Sequence, residues 1–224
     1  MNERMNDRPP TLPAIYRRLV RRFGPAGWWP GETPFEVCLG AILVQNTSWT
    51  NVERALQRLR RAGRLSFAGL SPLSVSRIAS LIRPSGTFRV KASRVRAFLD
   101  FLGSAYGGRV EAMRAEEPWV LRRRLLGVHG IGPETADSIA LYAAGQPLFV
   151  VDAYTGRIFT RLGLLRRGLG YDAVQRFFMD RLPRDAALFN DYHAQLVRLG
   201  KEVCRPRPRC GECPLEAICR KRGV

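Results

Sequence analysis

Apolar residues recur along this chain at intervals of three and four, with no convincing run at intervals of two. Leu12, Ile15, Leu19, Val20 and Phe23 form the first stripe, the spacing of one face of an α-helix, and Gly24-Pro25 closes it. Thr33-Pro34-Phe35-Glu36 reads as a capping box with proline at the first helical position. The segment behind it, Phe35 to Val44, is apolar almost all round, which places it at the centre of a helical bundle. Val52, Leu56 and Leu59 mark a third helix, with Arg54, Arg58, Arg60 and Arg61 off its apolar face. Ser71 is expected to cap a helix carrying Val75, Ile78, Leu81 and Ile82, which Pro84 ends. Val95, Phe98, Leu99 and Leu102 give the buried face of a longer helix, Val90 to Tyr106. Further helices are expected at Pro118–Leu126, from Pro133 onward, and at Ala153–Leu162, Asp172–Leu182 and Ala186–Val203. There is no repeat and no low-complexity linker, so the fold class is all-α. Residues 1–11 read as disordered, and Gly27-Trp28-Trp29-Pro30-Gly31 as a rigid loop.

Charge narrows the partner. The chain has 224 residues, with 37 Lys+Arg against 19 Asp+Glu, a formal net charge of +18. The excess is spread along the chain, which points to a polyanion whose binding weakens steeply with salt. No apolar run approaches a membrane span, and the start, MNERMNDRPPT, has no signal-peptide apolar region. Of five cysteines, four crowd the last stretch, Cys204 to Cys219, which argues against a secreted disulfide scaffold. A cytoplasmic, nucleoid-associated monomer is expected.

One stretch organises the rest. Leu121 and Leu125 lie on a short helix that runs into Val128-His129-Gly130-Ile131-Gly132, and a second helix starts at Pro133, where proline loses no needed N–H. Glycines at 130 and 132 suit a tight turn that needs positive φ or close backbone approach, and they leave helix N-terminal N–H groups open to an anion. Ala136, Ile139, Ala140, Ala143 and Ala144 keep the second helix thin. Gly145 and Pro147 break it, and the apolar run Leu148 to Val151 delivers one carboxylate, Asp152. This array resembles the helix–hairpin–helix, Gly/Pro-rich loop and aspartate of the endonuclease III superfamily of DNA glycosylases, over about residues 12 to 220.

The resemblance implies two helical domains flanking a DNA-binding cleft. One is a six-helix bundle with the hairpin, residues 30–136. The other joins residues 12–29 to 137–224. It also implies that Gly130, Ile131, Gly132 and Thr135 contact double-stranded DNA, and that Asp152 stabilises an oxocarbenium-like transition state as the N-glycosidic bond of a flipped nucleotide breaks. On the residues alone Asp152 also reads as a helix N-cap, and the two roles are compatible.

The cysteines read Cys204-x5-Cys210-x2-Cys213-x5-Cys219. Four-cysteine zinc sites usually show two close pairs, and here there is one; iron–sulfur clusters accept more varied spacing. The array resembles the [4Fe–4S] loop of endonuclease III, usually C-x6-C-x2-C-x5-C, with one residue fewer in the first gap. Cys38, inside the apolar helix, reads as a buried small hydrophobe.

Residue 134 carries the departure that matters for mechanism. Bifunctional endonuclease III enzymes have a lysine there that forms a Schiff base; Glu134 cannot form an imine, and the chain has no lysine between 92 and 200. Together with Gly27-Trp28-Trp29-Pro30, Val44-Gln45-Asn46-Thr47-Ser48-Trp49 and Arg83-Pro84-Ser85-Gly86, this is similar to the endonuclease III-type 3-methyladenine DNA glycosylases. That likeness implies a base pocket of Trp28, Trp29 and Trp49, with Gln45 filling the gap in the duplex and Glu134 near the pocket. Indole faces attract a cationic N-alkylated purine. His129 and His193 are read as structural. The expectation is a monofunctional glycosylase of base excision repair. Its rivals are a glycosylase for another damaged or mismatched base and a non-catalytic lesion-binding protein.

Overall fold

The computed structural model describes residues 9–26 and 31–224; residues 1–8 of the expected disordered start, and Trp28 and Trp29, lie outside them. Among the described residues the regular structure is helical throughout, and they divide into two compact units, one spanning residues 31–148 and the other joining residues 9–26 to 149–224.

The continuous unit holds α2 (Pro34–Leu43), α3 (Trp49–Arg61), α4 (Phe67–Leu70), α5 (Val75–Leu81), α6 (Phe88–Tyr106), α7 (Pro118–Leu126) and α8 (Pro133–Ser138), with a π-helical run, Ile139–Ala143, extending α8. Helix α2 lies at the centre, as its apolar surface requires: every residue from Phe35 to Leu43 is buried, and it packs on α3, α6, α8 and the π-helical run. Thr33 Oγ1 accepts from Glu36 N at 3.2 Å. The return arm differs from the expected box, because Glu36 Oε2 accepts from Glu32 N rather than from Thr33. The other oxygen of this buried carboxylate pairs with Arg60 at 2.5 Å. Ser71 is not the cap of α5. It closes the short helix α4, and Ser74 Oγ caps α5 through Arg77 N. Four residues are too few for apolar periodicity to reveal a helix, so α4 left no such signal. Fully buried Cys38 behaves as a hydrophobe, burial pushing its thiol up.

The discontinuous unit holds α1 (Leu12–Phe23), α9 (Ala153–Leu162), α10 (Tyr171–Met179) and α11 (Ala186–Glu202). Helix α11 packs on both α1 and α9. Its Tyr192 is fully buried against Phe149 and Phe178 and donates to Leu12 O at 3.0 Å. Gln195 donates to Gly24 O at 2.7 Å, so the N-terminal helix is stitched to the C-terminal half by side chains as well as by burial. The division falls after Leu148 rather than after Ala136. The reason is local: Thr135 to Leu141 are buried, and this second hairpin helix packs on α2.

Candidate functional site

Helix α7 ends in the turn from Gly127 to Gly132, where Val128 N bonds Leu125 O and Ile131 N bonds Val128 O. Gly130 has φ +81°, and a side chain there would run into Arg94; both reasons for glycine hold at this one position. Gly132 differs. It is the extended N-cap of α8, φ −91°, with open space around it, so its lack of a side chain leaves the helix start uncovered rather than relieving strain. Ile131 is buried and supports the turn from within. Asp137, fully buried, pairs with Arg122 at 2.9 Å and ties α8 to α7.

Gln45, just beyond α2, reaches this hairpin. Its Nε2 donates to Thr135 Oγ1 at 2.8 Å and to Gly130 O at 3.2 Å, and its Oε1 accepts from Arg94. Thr135 is buried; its hydroxyl faces Gln45. The end of α2 is anchored by Lys91, 1% exposed, which donates to Leu43 O at 2.8 Å and Ser85 O at 2.5 Å. Burial and the neighbouring Arg94 push this amine below its ordinary value. Neither Lys91 nor Arg94 gave a sequence signal, because their partners are backbone and amide groups far along the chain.

Asp152 caps α9 as its position suggests. Its Oδ1 accepts from Thr155 N at 2.7 Å and Thr155 Oγ1 at 2.8 Å, while Oδ2 lies 3.6 Å from His193 Nε2 on α11. Burial alone would raise the carboxyl; the His193 imidazole and the Thr155 donors outweigh it and hold Asp152 below its ordinary value. The group, its side chain 11% exposed, is thus an anion at physiological pH. His193, read as merely structural from the sequence, is its neighbour, whereas His129 is exposed.

Glu134 is exposed in the first turn of α8, where the helix dipole favours a carboxylate. Trp49 starts α3, half-buried, and lines a groove of about 420 Å³ with Glu32, Glu36, Glu53 and Arg60. In a chain of net charge +18 this groove holds three carboxylates against one guanidinium. The reverse holds on the other unit, where Arg157, Arg161, Arg166, Arg167 and Arg222 line a concavity with no carboxylate among its walls.

Cys204, Cys210, Cys213 and Cys219 line one cavity with Arg161, Val203 and Pro208. Burial pushes the Cys213 thiol up to about 11, and the other three cysteines push the same way. Thiols that sense one another like this ionise together only around a cation. Among the described residues no three Cys, His, Asp or Glu side chains group as ligands of one ion. Arg161 donates to Cys204 Sγ at 3.4 Å and to Arg205 O at 2.6 Å, and Arg157 to Cys204 O at 2.8 Å, which ties Cys204 to α9.

Residues 39–184 match the HhH-GPD superfamily of base excision DNA repair proteins. The chain belongs to that superfamily. HhH-GPD relatives match nearly end to end. The Methanocaldococcus jannaschii protein MJ1434, named as a DNA repair glycosylase, is 40% identical over 206 residues, covering 92% of this chain and 94% of its own. Endonuclease III of Thermotoga maritima is 30% identical over 213 residues, covering 93% of each. Among solved structures, the H. pylori 3-methyladenine DNA glycosylase MagIII bound to 1,N6-ethenoadenine matches with TM-score 0.71 at 27% identity, over 84% of this chain and 96% of that one. An endonuclease III–DNA complex shares the fold, with TM-score 0.80 at 23% identity over 94% of each chain. The HhH-GPD fold is therefore present, and with it the assignment to base excision repair glycosylases. Among the described residues no helix is long and apolar enough to cross a membrane.

Proposed function

We propose that this HhH-GPD protein is a monofunctional glycosylase that releases alkylated, cationic purines from double-stranded DNA by hydrolysis. The observation that carries the substrate class is the groove at Trp49. An indole beside Glu53, with Glu32 and Glu36 sharing the single Arg60, in a strongly basic chain, offers stacking and a net negative wall to a flat cation. The likeness to MagIII supports the same reading. N-alkylated purines leave readily once the sugar bond stretches, so little protonation of the leaving group is needed.

Asp152 supplies the chemistry. A carboxylate held ionised and only slightly exposed is suited to stabilise the positive charge that develops on the sugar and to orient the attacking water. Glu134 stands where a lysine nucleophile would be needed. The amine of Lys91 is buried and committed to two carbonyls, and that of Lys221 to Glu216 at 2.9 Å. With glutamate at position 134, hydrolysis without an imine is the reaction proposed. The hairpin from Gly130 to Gly132 and the arginine-lined concavity bind phosphates. Cys204, Cys210, Cys213 and Cys219 would hold a [4Fe–4S] cluster, which would cross-link the C-terminal loop.

The test pairs two assays. Asp152→Asn should lose base release by roughly 100-fold or more, the scale of a removed preorganised stabiliser, with DNA affinity kept. Borohydride should trap no covalent enzyme–DNA adduct. An active Asp152→Asn, or efficient trapping, would overturn this mechanism.

A further inference from the structure

We propose that His193 is a positioning residue for base release: its imidazole holds the oxygen of Asp152 that Thr155 leaves open. The inference rests on the reading of Asp152 as the carboxylate that acts on the sugar, and extends it to a second helix.

Capping α9 needs one oxygen, and Oδ1 alone receives both Thr155 donors, at 2.7 and 2.8 Å. A carboxylate fixed through one oxygen can still tilt and turn, because its terminal torsion is broad. Oδ2 faces His193 Nε2 at 3.6 Å, with side chains 11% and 6% exposed. That distance is longer than a hydrogen bond, so the imidazole restrains the anion by electrostatic contact and by filling the space beside it. The contact adds nothing to the cap of α9, whose N–H is already satisfied.

The imidazole is itself held in place. His193 follows Tyr192, whose hydroxyl is bonded to Leu12 O, and precedes Gln195, whose amide is bonded to Gly24 O. Helix α11 packs along α9. The two oxygens of Asp152 are therefore referred to two different helices, which fixes the plane of the carboxylate. Misplacement of a reacting group by about 1 Å can cost on the order of 100-fold in rate, so such a second anchor matters for rate where it does not for folding.

The experiment measures single-turnover base release from methylated duplex DNA, duplex affinity and melting temperature for His193→Leu, His193→Gln and Asp152→Asn. His193→Leu should slow release roughly 10- to 100-fold with affinity little changed, and His193→Gln, which keeps an N–H, should restore most of the rate. Carboxyl-carbon NMR supplies a readout free of substrate: Asp152 should titrate at higher pH in His193→Leu than in the parent. If Asp152→Asn abolishes release while His193→Leu keeps it, or loses it only in proportion to unfolded protein, the inference fails and the Asp152 reading stands. If Asp152→Asn remains active, the Asp152 reading itself falls. An unmoved Asp152 titration in His193→Leu overturns the contact whatever the substrate.

Discussion

Gln45 Nε2 donates to Thr135 Oγ1 at 2.8 Å, joining the turn after α2 to the second helix of the hairpin. The same amide reaches Gly130 O, and its carbonyl receives Arg94. The residue expected to fill the gap in the duplex is thus pre-set by the element expected to grip phosphate.

Thr135→Val should release that tie. One lost hydrogen bond with a part-buried amide left behind costs about 1 kcal/mol of stability, read by denaturant unfolding. Base release should fall more than stability alone explains, because Gln45 is no longer held. Unchanged release would detach Gln45 from the reaction.

The two hairpin glycines should behave differently. Gly130→Ala places a side chain at φ +81° and against Arg94, and should destabilise by more than ~1 kcal/mol. Gly132→Ala meets nothing, so its unfolding midpoint should barely move while duplex affinity falls. Equal melting losses in the two variants would contradict this division.

This asymmetry marks a limit of legibility. From the sequence both glycines served the same turn, because G-x-G carries no φ. The helix positions were readable where stripes were long: α1, α7 and α9 fall at the expected residues, since burial of one face and a defined cap agree there. The pairing of Asp152 with His193 was not readable. It arises from α9 and α11 lying together, and neither residue's neighbours in the sequence announce the other. Lys91 is similar: a lysine among apolar helix residues looks like a surface charge until its carbonyl partners are known.

Aerobically purified protein should be brown and hold about four irons per chain, as four-thiolate ligation of a cubane implies. Cys213→Ser should bleach it and loosen the C-terminal loop, measured as faster proteolysis after Val203. Stoichiometric zinc in a colourless protein would exclude the cluster.

Trp49→Ala should cost about 1–3 kcal/mol in discrimination between lesion and normal base, the scale of one base–aromatic stack, and Trp49→Phe should recover much of it. Glu53→Gln should weaken discrimination for a cationic base and spare a neutral one. Competition binding with lesion-bearing duplexes measures both. Equal loss for all duplexes would make Trp49 a packing residue.

Identifying the released bases by mass spectrometry decides whether the protein acts on cationic purines. Duplexes carrying 3-methyladenine, 7-methylguanine, uracil and thymine glycol are incubated with the protein, and the free bases are identified. 3-Methyladenine should be released, with uracil and thymine glycol left in place. Release of thymine glycol or uracil with methylated purines untouched would contradict it.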